Sequence, residues 1–219
     1  MLAQFVLFDG FDPLDVIAPF EVLGAGGTLT GGALAVELVS AAGARDVPSG
    51  IPPISLRANG KLDPGRADIV VVPGAMGRMP TDEDDHRDDT VLSVLTRALD
   101  TELSALLKES VDRPGLTVAS VCGGSLLLGF AGLLAGRPAT THPLGMAALG
   151  QTGAHVVHAR VVDDGDMIHG GAVTSGLDVG LYLLERELGP RVAHAVEQLI
   201  SHERRGTVWR NTGAAPVPA

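Results

Sequence analysis

Apolar residues fall in two rhythms along this chain. Short continuous runs alternate with longer stretches whose apolar positions recur at helical spacing. That alternation predicts a parallel sheet covered by helices on both faces. The first strand is expected over Ala3 to Phe8, stopped by Asp9-Gly10. A helix fits Pro13 to Leu23, with Asp12 as N-cap and Pro13 at the first helical position. Ala35 to Ser40 reads as a second strand, and the proline-broken runs between Val47 and Ala58 read as a hairpin or edge insertion. Ile69 to Val72 is wholly apolar and ends in Pro73-Gly74, the pattern of a central parallel strand.

In the second half, Thr90 to Lys108 carries Val91, Leu92, Leu95, Leu99, Leu103, Leu106 and Leu107 at helical spacing and predicts one helix. A strand is expected over Thr117 to Val121, with a helix over Ser125 to Leu134 behind it. Val156 to Val162 and Met167 to Ile168 flank the turn signal Asp163-Asp164-Gly165-Asp166 and predict a second hairpin. A helix runs from Ser175 to about Leu188, opened by a capping-box-like Ser175-Gly176-Leu177-Asp178 and closed by Gly189-Pro190. Arg191 to about His202 forms the last helix. No repeat or linker interrupts this order, so residues 1–210 read as one domain and 211–219 as a flexible tail.

Composition narrows the function classes. The 219 residues are 45% hydrophobic, enough for a substantial core. A net charge of −10 and the lack of any basic stripe argue against nucleic acid as a partner. The apolar runs are too short to span a membrane, and the N-terminal run lacks the positive region and cleavage site of a signal peptide. A single cysteine is compatible with a reducing compartment, so a cytoplasmic location is expected. The acidic run Thr81 to Thr90 reads as a solvated loop and helix cap, without the dispersed ligands of a metal centre. No cofactor is expected.

The sequence concentrates its chemistry at Cys122. A strand-like run ends on it, Gly123-Gly124 follow, and a helical segment then begins. Turns of this kind hold nucleophiles, with glycines relieving the crowding around a strained residue. The adjoining helix start is expected to favour thiolate over thiol. A buried structural cysteine is the plainer alternative, since free cysteine is among the most buried residue types. In a doubly wound sheet the ligand site lies beyond the carboxyl ends of the strands. Three segments should therefore converge there: Asp9 to Glu21, with Asp12, Asp15 and Glu21; Pro73 to Gly77; and the turn itself. The N–H groups of Gly123 and of Gly74-Ala75 could together form an oxyanion hole. Of the seven histidines, His142 and His169 are the candidates for the pocket, and His86, His155, His158, His194 and His202 are left unassigned.

Five segments match a known family in order: Leu14 to Leu23, Val72 to Ala75, Ser120 to Ser125, Ala131 to His142, and Gly170 to Asp178. With them the chain resembles the ThiJ/PfpI superfamily, and within it the isonitrile hydratase branch. The resemblance implies a class I glutamine amidotransferase-like, flavodoxin-like fold: a doubly wound, mostly parallel sheet between helices, with a nucleophile elbow and small β-hairpin insertions. It also implies a homodimer acting on a small-molecule substrate, with Cys122 as nucleophile and Asp15 as the acid beside its sulfur. The implied reaction converts an isonitrile and water to an N-substituted formamide through a thioimidate on Cys122. Two positions depart from the branch: Gly123 replaces a threonine and Pro143 replaces a tryptophan. The protease-like branch carries histidine at the position of Gly123. Other readings compatible with the thiol are small-molecule hydrolysis or glyoxalase-type chemistry, a redox sensor, and a ligand-binding module of the sort fused to helix-turn-helix regulators. No DNA-reading segment is expected after Arg210.

Overall fold

The computed structural model describes residues 1–78 and 87–214. The chain runs β1 (Leu2–Leu7), α1 (Pro13–Leu29), β2 (Ala35–Ser40), β3 (Arg45–Pro48), β4 (Ser55–Ala58), β5 (Gly60–Lys61) and β6 (Ile69–Val72). It continues through α2 (Val91–Leu99), α3 (Leu103–Asp112), β7 (Thr117–Val121), α4 (Gly124–Phe130), β8 (Pro138–Ala139), a 3-10 turn (Pro143–Gly145) and α5 (Met146–Gln151). The last elements are β9 (His155–Val156), β10 (Val161–Asp163), β11 (Met167–Gly170), α6 (Ser175–Leu188), α7 (Pro190–Ile200) and β12 (Trp209–Arg210).

Eight strands form the main sheet in the order β12-β10-β11-β7-β6-β1-β2-β5. All neighbours are parallel except the β10–β11 hairpin. The apolar runs explain the order: β6 and β7 are buried along their whole length and lie at the centre beside β1. Helices α1, α6 and α7 pack together as one layer, while α2 to α5 form the other. Beneath them Phe5 meets Phe20 edge to face at 5.2 Å. No helix among the described residues is long and apolar enough to cross a membrane.

Several elements differ from their sequence expectation for identifiable reasons. Helix α1 continues past Leu23 through Gly24, Gly26 and Gly27. Low helix propensity is overridden there by packing, because a Cβ on Gly27 would stand 2.1 Å from the Leu34 carbonyl oxygen. The Thr90–Lys108 pattern is two helices. Thr101 Oγ1 donates to the Ala98 carbonyl at 2.7 Å and accepts the Leu103 N–H at 3.2 Å, which ends α2 and starts α3. Helix α4 stops at Phe130, just before Gly132 takes a φ of 76°. His155–Val156 pairs with Pro138–Ala139, so the hairpin arm before Asp163 begins only at Val161.

The capping box expected at α6 is absent. Thr174 occupies the cap without a side-chain bond to the helix, its hydroxyl accepting Arg160 Nη2 at 3.2 Å, and Asp178 receives Arg160 Nε at 2.8 Å and the Arg205 N–H at 2.8 Å. The first hairpin, β3–β4, forms as expected, from Arg45 opposite Ala58 to Pro48 opposite Ser55. Of the acidic run, residues 81–86, His86 among them, lie outside the described residues, and Thr90 caps α2 through the Ser93 N–H at 3.1 Å. Residues 215–219 of the expected tail lie outside them as well.

Candidate active site

Strand β7 delivers Cys122 to the carboxyl edge of the sheet, where the chain must reverse into α4 within two residues. Cys122 has a φ of 55°, a left-handed conformation uncommon for a residue with a side chain. Bonds on both sides hold it there. Its N–H donates to the Gly170 carbonyl at 3.1 Å, and its carbonyl accepts the Thr141 hydroxyl at 2.7 Å. The glycines around it answer a lack of space. A Cβ on Gly124 would lie 2.1 Å from the Val72 carbonyl oxygen, and one on Gly74 would lie 2.6 Å from the Gly123 nitrogen. Only bare backbone lets the β6 exit and the β7–α4 turn approach this closely.

Helix α1 brings two carboxyls to the same place. Asp12 caps the helix, accepting the Leu14 N–H at 2.9 Å. Asp15, one turn in, is fully buried. Its Oδ2 accepts the Gly74 N–H at 2.9 Å, whereas its Oδ1 is buried without a hydrogen-bond partner. Burial, reinforced by the Asp12 charge, pushes the Asp15 carboxyl up to about 8. The Cys122 thiol is pushed upward too, first by burial and then by the Asp15 carboxylate, while the Gly123 N–H pulls the other way. The helix-end stabilisation of thiolate expected from sequence is therefore outweighed. The two side chains are hydrogen-bonded to each other, a contact that favours the Asp15 carboxylate and keeps the proton on the Cys122 sulfur.

A cavity of about 280 Å³ opens over the sulfur. Asp12, Cys122, Gly123 and Ala75 lie at its polar end, with His142 on one side. The walls are apolar: Met76, Val91, Leu92, Leu126, Leu144 and Val173. Such a cavity suits a small ligand that is mostly apolar with one reacting end.

The residues singled out by sequence separate into three groups. Cys122, Asp15, Gly123 and Ala75 meet at or directly behind the cavity floor. Gly74 is also there, but its N–H is taken by Asp15, so it is not an oxyanion donor; Gly123 and Ala75 are the residues left to supply one. His142 lines the cavity, where its Nδ1 accepts the Leu144 N–H at 3.2 Å. His169 does not line it. It stands on β11 opposite Ser120, fully buried, with Nδ1 2.8 Å from the Ser120 hydroxyl. Burial pushes its imidazole down to about 3, which keeps the ring neutral. Glu21 is exposed on α1 and takes no part.

The sequence reading missed the cavity wall. Val91 and Leu92 belong to an amphipathic helix pattern and carry no sign that part of that face opens onto a ligand site. Thr141 lies inside the Ala131 to His142 segment with nothing to single it out, yet its hydroxyl makes one of the bonds that hold the Cys122 backbone. No group of three or more His, Cys, Asp or Glu side chains among the described residues is placed to hold a metal ion.

Comparison with known proteins places this geometry in context. A family model described as the DJ-1/PfpI family matches residues 1–186. The isonitrile hydratase of Pseudomonas putida is 37% identical over 130 residues, covering 59% of this chain and 50% of that protein. The matched region thus spans half the length of that curated relative. A ThiJ/PfpI family protein from Pseudomonas syringae superposes with a TM-score of 0.75 at 25% identity, covering 97% of this chain and 78% of the other. Drosophila melanogaster DJ-1beta superposes with a TM-score of 0.74 at 19% identity over 93% of this chain and 98% of its own, a likeness of fold alone.

Proposed function

The chain belongs to the DJ-1/PfpI family, and from that membership and the site geometry we propose that it is a cysteine-dependent enzyme hydrating an isonitrile to an N-substituted formamide. One observation carries the reading. A buried thiol lies at the floor of an apolar cavity, and a buried carboxyl with a raised proton affinity backs it from behind that floor. An isonitrile offers an apolar substituent for the walls and a terminal carbon that must receive both a nucleophile and a proton. The pair is suited to supply both.

The pair reacts in its singly protonated form. The Cys122 sulfur bonds to the isonitrile carbon while the shared proton passes through Asp15 to that same carbon, giving a thioimidate. Water then adds across the C=N bond. Its hydroxyl goes to carbon, and its proton goes to nitrogen by way of Asp15. Collapse breaks the C–S bond, forms the formamide carbonyl and returns the hydroxyl proton to the pair. Gly123 and Ala75 are placed to stabilise charge on the added oxygen. The Asp15 carboxyl, which shares a side-chain hydrogen bond with Cys122, is the group through which the proton moves.

The apolar walls favour this reaction over hydrolysis or glyoxalase-type chemistry on polar carbonyl compounds, and the raised proton affinity of the thiol disfavours a peroxide sensor, which needs a thiolate. Formamide production from cyclohexyl isocyanide, followed by mass spectrometry, tests the proposal. Wild type should turn over, and Cys122→Ala and Asp15→Ala should each lose at least about a thousandfold. Turnover that persists in Cys122→Ala would end the covalent reading. The proposal takes the active species as a homodimer acting on a small cytoplasmic substrate, and sedimentation equilibrium checks the dimer.

A further inference from the structure

We propose that Asp12 selects ligands by charge: the Cys122 cavity takes uncharged or cationic electrophiles with an apolar substituent and turns away those that carry a carboxylate. The inference rests on Cys122 being the reacting thiol and specifies the substrate class that the site accepts.

Asp12 is both a cap and a wall. It is 4% exposed and faces the cavity, and the Leu14 N–H at 2.9 Å holds its Oδ1 in place. A ligand entering the cavity therefore meets a carboxylate that cannot swing away without uncapping α1. Among the described residues that line the cavity, none compensates for it. The described lining residues include no Lys or Arg. His142 presents a ring whose Nδ1 accepts the Leu144 N–H. The facing part of α2 contributes Val91 and Leu92, α4 contributes Leu126, and the β6 exit contributes Ala75 and Met76. Asp15 lies behind the floor and adds no positive charge. Apolar walls screen charge poorly, so a carboxylate held within several ångströms of Asp12 suffers a repulsion that water would suppress. A neutral ligand meets no such penalty.

The single cysteine allows a test that does not depend on turnover. Iodoacetamide and iodoacetate alkylate a thiolate by the same displacement: the sulfur bonds to the methylene carbon, the C–I bond breaks and iodide leaves. Both draw on the same thiolate, so the ratio of their rates cancels its concentration and reports the reagent's charge. Each rate is read by mass spectrometry on Cys122 and divided by the rate for N-acetylcysteine under the same conditions. Wild type should disfavour iodoacetate by about tenfold or more on this normalised scale. Asp12→Asn keeps the cap and removes the charge, and should abolish most of that bias. Asp12→Ser, also a good cap, serves if the asparagine variant folds poorly. Equal normalised rates in wild type overturn the proposal, as does a bias that survives both substitutions. A protein that shows the bias but hydrates no isonitrile would sink the reaction assigned above and leave the charge selection standing.

Discussion

Asp15 accepts the Gly74 N–H at one carboxyl oxygen and shares a side-chain hydrogen bond with Cys122 in a fully buried site. That position sets two pH dependences of definite sign. Its proton affinity is raised in the fold to about 8 from the ordinary carboxylate value. The native state therefore keeps a proton that the unfolded chain has lost, and stability falls as pH rises from about 4 to about 8. Urea titrations should show wild type losing stability across that window, with Asp15→Asn losing much less. Catalysis moves the opposite way. The reactive form of the Asp15–Cys122 pair has lost its first proton, so kcat/KM for an isonitrile should rise with pH towards about 8. Asp12→Asn removes a neighbouring charge that helps hold that proton and should shift this limb to lower pH. A limb that stays in place would remove Asp12 from the proton balance of the pair.

At the scale of elements, the site depends on how closely α1 is seated, because α1 carries both carboxyls. Helix α6 holds it through small residues. A Cβ at Gly180 would stand 2.9 Å from Val22 Cβ, a branched side chain with little room to turn. Gly180→Val should cost about 2 kcal/mol in thermal or urea unfolding and should lower turnover by displacing Asp15. Gly24→Ala is the contrasting case on α1. Its Cβ would make an ordinary contact 3.7 Å from Val36, so the variant should gain about 0.5 kcal/mol. If Gly180→Val leaves both stability and turnover unchanged, the α1–α6 seam does not position the site.

The same scale shows what was readable beforehand. Strands β6 and β7 and helix α6 are legible because buried apolar runs and helical periodicity are local properties of the sequence. The Asp12 cap and the glycine-flanked turn at Cys122 are legible for the same reason. The Thr101 break needed a side-chain hydrogen bond that periodicity does not record. The destination of the Gly74 N–H and the burial of His169 are long-range outcomes of strand order, and the residues themselves give no sign of them.

Across the whole molecule, a buried ion pair ties the far end of the sheet to the C-terminal segment. Asp178 on α6, with its side chain 3% exposed, receives Arg160 and the Arg205 N–H, and His202 Nε2 lies 3.6 Å away. Arg160 lies just before β10, and its carbonyl accepts the Gly171 N–H beside the loop that leads into α6. Arg160→Ala would take the guanidinium from a buried carboxylate that keeps only the Arg205 N–H as a close hydrogen bond, and should destabilise the fold by about 2 kcal/mol. Combining it with Asp178→Asn should recover part of the loss, because the stranded charge is then gone. A double variant no more stable than Arg160→Ala would show that the cost lies in lost packing instead.

The strand order also dictates when the reactive pair comes into being. Asp15 follows β1 and Cys122 follows β7, and β6 lies between those strands in the sheet. No local segment can assemble the pair. It exists only after three strands distant in sequence have aligned in parallel, a slow class of pairing. A newly made or transiently unfolded chain therefore carries an exposed thiol of ordinary acidity, and the native chain shelters it in a cavity. Oxidative damage to this protein should accordingly track the time it spends unfolded, and a bulky maleimide that cannot enter the cavity becomes a clock for its unfolding.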